Sequence, residues 1–260
     1  MSKIVTLSLL QSRSLFKEKA TYLFGVMASM IIVLSLGLSS AEIGAKHKLF
    51  EDILLTSQGY FFLLAALFYA FTQSSRDRNL GLFVLPVANG MKRREYLVAQ
   101  MLSLGWIISL LALLFLSLDL IALAVVEGRV DPLLLWQVFL YALSSLLVAY
   151  MVMAFGQYVS LTNALLYSVA FFVIGHGLDE LYIYTKFVAE TAYLTDVMPL
   201  LYYLLPNFSL FDRQSTIVNR QALDVWGDVL LPLLYFSVWT LMLFLAALVK
   251  FQKKGLTIGN

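Results

Sequence analysis

Six apolar stretches, each about as long as a bilayer is thick, run through the 260-residue chain: Ala20–Ala41, Ile53–Ser74, Val98–Val126, Leu133–Phe155, Ser160–Leu178 and Asp228–Lys250. A hydrocarbon core about 30 Å thick takes roughly 20 residues of helix. In that solvent every backbone N–H and C=O must be paired, which leaves helices or a closed barrel, and barrel strands would be half as long and alternate in polarity. The stretches therefore predict one all-α integral membrane domain over residues 1–260, with six transmembrane helices. Little chain is left for a soluble domain: 61% of the residues are hydrophobic and 13% charged, against about 25% charged in soluble domains. The first stretch is too long for a signal-peptide core and lacks a small-residue cleavage site, so it is expected to be retained behind a short head, residues 1–19. With no cysteine in the chain, disulfides and thiolate metal sites are excluded.

Basic residues fall on alternate loops. With the N-terminus in the cytoplasm, that side holds Lys3, Arg13, Lys17, Lys19, Arg76, Arg78, Lys92, Arg93, Arg94, Lys250, Lys253 and Lys254, twelve in all. The other side holds six: Lys46, Lys48, Arg129, Lys186, Arg213 and Arg220. The positive-inside bias predicts both termini in the cytoplasm.

Two connecting segments carry information beyond tethering. In Ser75–Gln100 a short apolar run, Leu80 and Leu82–Leu85, lies between two charged clusters and is ended by Pro86, with Asn89-Gly90 marking a turn. Too short to cross a membrane, it predicts a small cytoplasmic helix whose apolar face, Leu82 and Phe83 included, rests on lipid headgroups or docks a soluble partner. Residues 179–227 contain the run Val197–Phe211, broken by Pro199 and Pro206. Reading this run as a seventh span would bury Glu190 and Asp196 at about 2.5–3.5 kcal/mol each near the bilayer centre, and would carry the terminal lysines outside. A re-entrant or interfacial hairpin before the last helix is expected instead, with Tyr182, Tyr184, Tyr193, Tyr202 and Tyr203 as an aromatic belt.

The order head, docking loop and outer hairpin resembles the membrane subunit of type-2 ABC exporters along nearly the whole chain. The local pattern in the loop is Asp77-Arg78-Asn79, Gly81, Leu82–Leu85, Pro86-Val87 and Lys92–Leu97, with Asn79 standing where the family usually has an acid and the spacing around Pro86 altered. Leu205–Asp212, with Pro206 and Asn207, also looks like the family's re-entrant region. The resemblance implies that residues 75–97 form a coupling loop on a separate cytosolic ATPase, with Arg76, Asp77, Arg78, Asn79, Gly81, Leu82, Phe83, Pro86, Arg93, Arg94 and Glu95 as its coupling residues. It further implies a second permease copy, alike or different. In the family the second and fifth helices line the translocation path. Here those helices carry Gln58, Phe62, Ala65, Tyr69 and Thr72 at alternating spacings of four and three, and Asn163 and Tyr167 at a spacing of four. Ordinary helix packing would use the same residue types.

No glycine in the chain is followed by lysine, so no P-loop exists to cradle a nucleotide. Any ATP and Mg would be bound by the partner, and the chain is not expected to be an enzyme or to hold a cofactor. Asp119 is the one acid inside a stretch. An ion-coupled secondary carrier would use it, yet 21 residues beyond Val98 it is roughly 31 Å up, which predicts contact with water at the outer interface. His176 beside Asp179 and Glu180, with His47, is a thin basis for a metal site. Asn207-Phe208-Ser209 matches a glycosylation sequon, a pattern frequent by chance. The expectation is thus a permease subunit of an ATP-driven exporter of an amphipathic or lipid-like substrate, in a bacterial cytoplasmic membrane and in contact with lipid, with no nucleic-acid partner. The alternative is an ion-coupled carrier working through Asp119.

Overall fold

The computed structural model describes residues 3–39, 46–126, 132–187, 199–202, 204–219, 222 and 224–253. Its helices are α1 Lys3–Phe16, α2 Lys19–Ser39, α3 Lys46–Leu80, α4 Val84–Ala88, α5 Arg93–Val126, α6 Pro132–Gly156, α7 Leu161–His176 and α8 Leu178–Phe187. A 3-10 turn Ser209–Phe211, α9 Gln214–Val218, and a π turn Val225–Leu230 that runs into α10 Leu231–Lys253 complete the described elements. No strand occurs among the described residues. Five helices (α2, α3, α5, α6 and α10, the last with its π turn) are long and apolar enough to cross a membrane, and α7 with α8 would make a sixth span bent by 48°. This is the construction of an integral membrane protein.

α6 is the axis of the bundle. It packs against α3, α5, α7 and α10, and 78% of its apolar stretch is buried against 11% for α10. Lipid tails are as apolar as leucine, so such helices are held by close packing rather than by escape from water. Ring contacts do much of this where α2, α3 and α5 meet. Phe61 and Phe115 lie 4.7 Å apart between centroids, Phe62 and Phe115 5.2 Å, and Phe24 and Phe61 5.5 Å, each pair contributing about 0.5–1.5 kcal/mol.

The head is a helix of its own rather than an extension of the first span. Its packed face mixes small and apolar residues: Ser8, Ser12 and Leu15 are buried, Ile4 and Leu7 lie against the core, and α1 lies along α5. Each serine satisfies itself locally, Ser8 Oγ donating to Val5 O at 2.9 Å and Ser12 Oγ to Leu9 O at 3.0 Å. The break before α2 is sealed by Thr21, whose hydroxyl donates to Leu15 O at 3.1 Å and accepts from Tyr69 at 2.8 Å. α7 begins at Ser160, an N-cap whose side chain accepts from the Asn163 N–H.

Among the expected features of the long connection, Val197, Met198 and Tyr203 lie outside the described residues, as do Glu190, Tyr193 and Asp196. Residues 199–202, Pro199 included, are helical. The part from Pro206 to Asn219 folds onto one end of the bundle. There Phe208 N–H donates to Gly175 O at 3.0 Å, and Gln137 of α6 holds both sides of the chain, giving a hydrogen bond to Phe211 O at 3.0 Å and taking one from Arg213 N–H at 2.9 Å.

Candidate functional site

Two places combine exposure with unusual chemistry, one at each end of the bundle. At the basic end, α3 stops at Leu80 and the chain reverses through Gly81 (φ 58°), α4 and Gly90 (φ 80°) before α5 begins. Both glycines adopt the left-handed conformation that other residues resist. Glu95 closes the start of α5 by accepting from Lys92 N–H at 2.9 Å. The five-residue α4 presents Leu85, 70% exposed, and the preceding Leu82, 39% exposed. Arg78, Lys92, Arg94 and Asn79 are exposed round them, and Pro86 is half-buried.

Phe83 corrects the expected docking face. It is buried, with its ring 5.7 Å from that of Phe251 near the end of α10. Of the basic and acidic residues expected to meet a partner, Glu95 and four others are engaged within the chain. Arg76 pairs with Glu18 and donates to Ser14 Oγ at 2.8 Å. Arg78 donates to Val159 O in the α6–α7 turn at 2.8 Å. Arg93 donates to the last carbonyls of α10, Phe251 at 2.9 Å and Gln252 at 2.8 Å. Asp77 accepts from Tyr96 at 2.6 Å and from Gln100.

At the opposite end, α3, α6 and α7 enclose a half-open cleft of about 300 Å³. Tyr60, Leu63, Phe172 and Val173 give it an apolar wall, and Ser144, Ser145 and Thr56 add hydroxyls. Its rim is polar: Gln214 donates to Asp52 Oδ1 at 2.6 Å and Thr56 at 2.8 Å and accepts from Tyr141 at 3.0 Å. His176 faces Asp212 at 3.7 Å. Burial opposes the charge on Asp212, but His176, the Gln214 N–H and Arg213 together hold its carboxyl below the ordinary carboxylate range. Burial and the neighbouring Asp179 push the Tyr202 hydroxyl up to about 12.

The residues expected to line a path do not come together. Gln58, Phe62 and Tyr69 are fully enclosed among α2, α3 and α5, and Thr72 is half-buried. Asn163 and Tyr167 are exposed on the outside of α7. The cleft instead uses the neighbouring face of α3, Thr56, Gly59, Tyr60 and Leu63, with the Ser144-Ser145 pair of α6. That adjacent pair of hydroxyls in an otherwise apolar stretch was the available sequence signal. Asp119 also departs from expectation, being 2% exposed and bound by Gln58 Nε2 at 2.7 Å instead of reaching water. Asn207, of the sequon, is 3% exposed, its amide donating to Asp179 at 2.8 Å. Among the described residues no three metal-binding side chains converge. No protein-family model matches the chain, and no curated protein matches it.

Proposed function

We propose that the chain is the membrane-spanning permease subunit of an ATP-driven exporter of the type-2 ABC kind, working with a separate cytosolic ATPase that binds ATP and Mg. The observation that carries this reading is the turn at α4: a five-residue helix with Leu85 exposed and Leu82 exposed just before it, ringed by Arg78, Lys92 and Arg94, between two helices that run the height of the bundle. A soluble partner that covers those leucines gains apolar burial, and the basic ring sets the register of an acidic rim. The basic end is then cytoplasmic, in a bacterial cytoplasmic membrane, with the segment from Pro199 to Phe211 as an outer re-entrant or interfacial element. The cleft, apolar below and polar at its rim, suits an amphipathic substrate. Asn163 and Tyr167, exposed on α7, mark the side on which a second permease copy, identical or related, would close the path. The test is purification of the full chain in mild detergent followed by mass spectrometry. An ABC ATPase is expected with the native protein and absent with Leu82→Asp/Leu85→Asp; an ATPase retained equally by both would overturn the docking role.

Burial of Asp119 inside the bundle favours a second reading, an ion-coupled carrier. It predicts solute uptake by proteoliposomes containing this chain alone, driven by an ion gradient.

A further inference from the structure

Asp119 on α5 is enclosed by protein on all sides, and among the described residues its hydrogen-bond partner is Gln58 of α3, whose Nε2 donates to Oδ1 at 2.7 Å. The other half of that amide is unmatched. Gln58 Oε1 is buried with no donor on it, and the whole residue is 0% exposed. The carboxyl has therefore used one oxygen, and an acceptor beside it lacks a proton. Turning the amide over does not change this count: its oxygen would then face Oδ1 and need a donor there.

Among the described residues no positive charge is at hand to balance a carboxylate. On α5 itself the nearest basic residue is Arg94, about 37 Å along the helix. Besides Lys46 and His47 in its first turn, α3 carries Lys48, which donates to Asn219 at 2.7 Å, and Arg76 and Arg78 at its other end. α2 has Lys19 alone, at its start, and α6 has no charged residue. Glu51, two helical turns from Gln58 on α3, is buried and has an interaction of its own; it adds an acid, not a cation. An isolated buried carboxylate is among the costliest arrangements a protein can hold, and a buried acceptor without a donor is a further cost.

We propose that Asp119 and Gln58 form a proton-binding site, in which a neutral carboxylic acid closes on a carboxamide through two hydrogen bonds. Gln58 Nε2–H donates to Asp119 Oδ1, and the acid O–H on Oδ2 donates to Gln58 Oε1. A single proton, taken from solvent, both removes the buried charge and supplies the missing donor. The pair ties α3 to α5, the two helices that lead into and out of the α4 turn, and its existence depends on neither reading of how transport is driven.

Infrared spectroscopy of the full chain in lipid nanodiscs at pH 7 tests this. The native protein is expected to show a carboxylic-acid C=O band above the amide region, shifted by deuterium exchange and lost in Asp119→Asn. That variant replaces the acid with an amide able to make the same two hydrogen bonds, so it should fold and melt as the native chain does. In Gln58→Leu the band should persist but move to higher frequency, because its carbonyl no longer accepts; this second variant keeps the test decisive if the first does not fold. A native spectrum from which neither substitution removes or shifts such a band would overturn the proposal. So would a band abolished when choline chloride is replaced by sodium chloride at constant pH, which would make the site one for a metal cation.

Discussion

The carbonyl oxygen of Pro206 occupies the space in which a side chain on Gly175 would begin: a Cβ there would lie 2.1 Å from that oxygen and 2.7 Å from the ring of Phe208. Backbone cannot retreat from such a clash as a flexible side chain can. Phe208 is also bonded to Gly175 through its N–H, so the end of α7 and the outer segment share one contact. Gly175→Ala is expected to cost about 1–3 kcal/mol and to lift the Pro206–Phe211 strip off α7. A lowered melting temperature in detergent, with faster proteolysis between α8 and α10, would show it.

The basic-end turn sets a buried residue, Phe83, beside the exposed Leu82 and Leu85. Phe83→Ala removes a ring packed on Phe251 and should destabilise the chain by about 3–5 kcal/mol, whether or not a partner is present. Leu82→Asp/Leu85→Asp changes exposed side chains, so its melting temperature should stay within a degree or two of native while ATPase retention falls. Thermal melts run beside the co-purification resolve the two effects.

Arg93→Ala leaves the final carbonyls of α10 without their guanidinium. The expected loss is about 1 kcal/mol, typical of a cation at a helix C-terminus. It should be concentrated locally, so hydrogen exchange in residues 247–253 should rise while that of α6 stays slow.

Asp212 sets a pH dependence of known sign. Its carboxyl titrates below the ordinary 3.8 in the folded chain, so its contribution to stability is complete above that value. The contribution is lost as pH falls through the depressed one. Melting temperatures from pH 6 downward should therefore fall more steeply for the native chain than for Asp212→Asn. Parallel curves would show that the contacts of Asp212 with His176, Gln214 and Arg213 are energetically silent.

Hydropathy made the spans legible because the bilayer demands it, marking α2 and α6 almost end to end but α3 only by its greasy middle. Ile53–Ser74 is the centre of α3, which continues past it at both ends; beyond Ser74 its polar residues find partners, Asp77 on α5 and Arg78 in the α6–α7 turn. The packing of α1 was illegible for the opposite reason: Ser8 and Ser12 look polar, yet small residues that bond their own backbone let helices approach closely. Asp119 was misplaced by counting along the helix alone, since height within a bilayer does not say which way a side chain faces. The cleft draws on α3, α6, α7 and the strip around Asp212 and Gln214, and beyond the Ser144-Ser145 pair no local pattern announces such a convergence.

The guanidinium groups of Arg76, Arg78 and Arg93 fasten the region around α4 to the α1–α2 break, the α6–α7 turn and the tip of α10. The end of α3 and the start of α5, which flank α4, are thereby both tied to other parts of the bundle. A force applied at Leu82 and Leu85 would be shared at once by three distant parts of the bundle, so the bundle would answer by tilting as a body before its basic-end turn could flex.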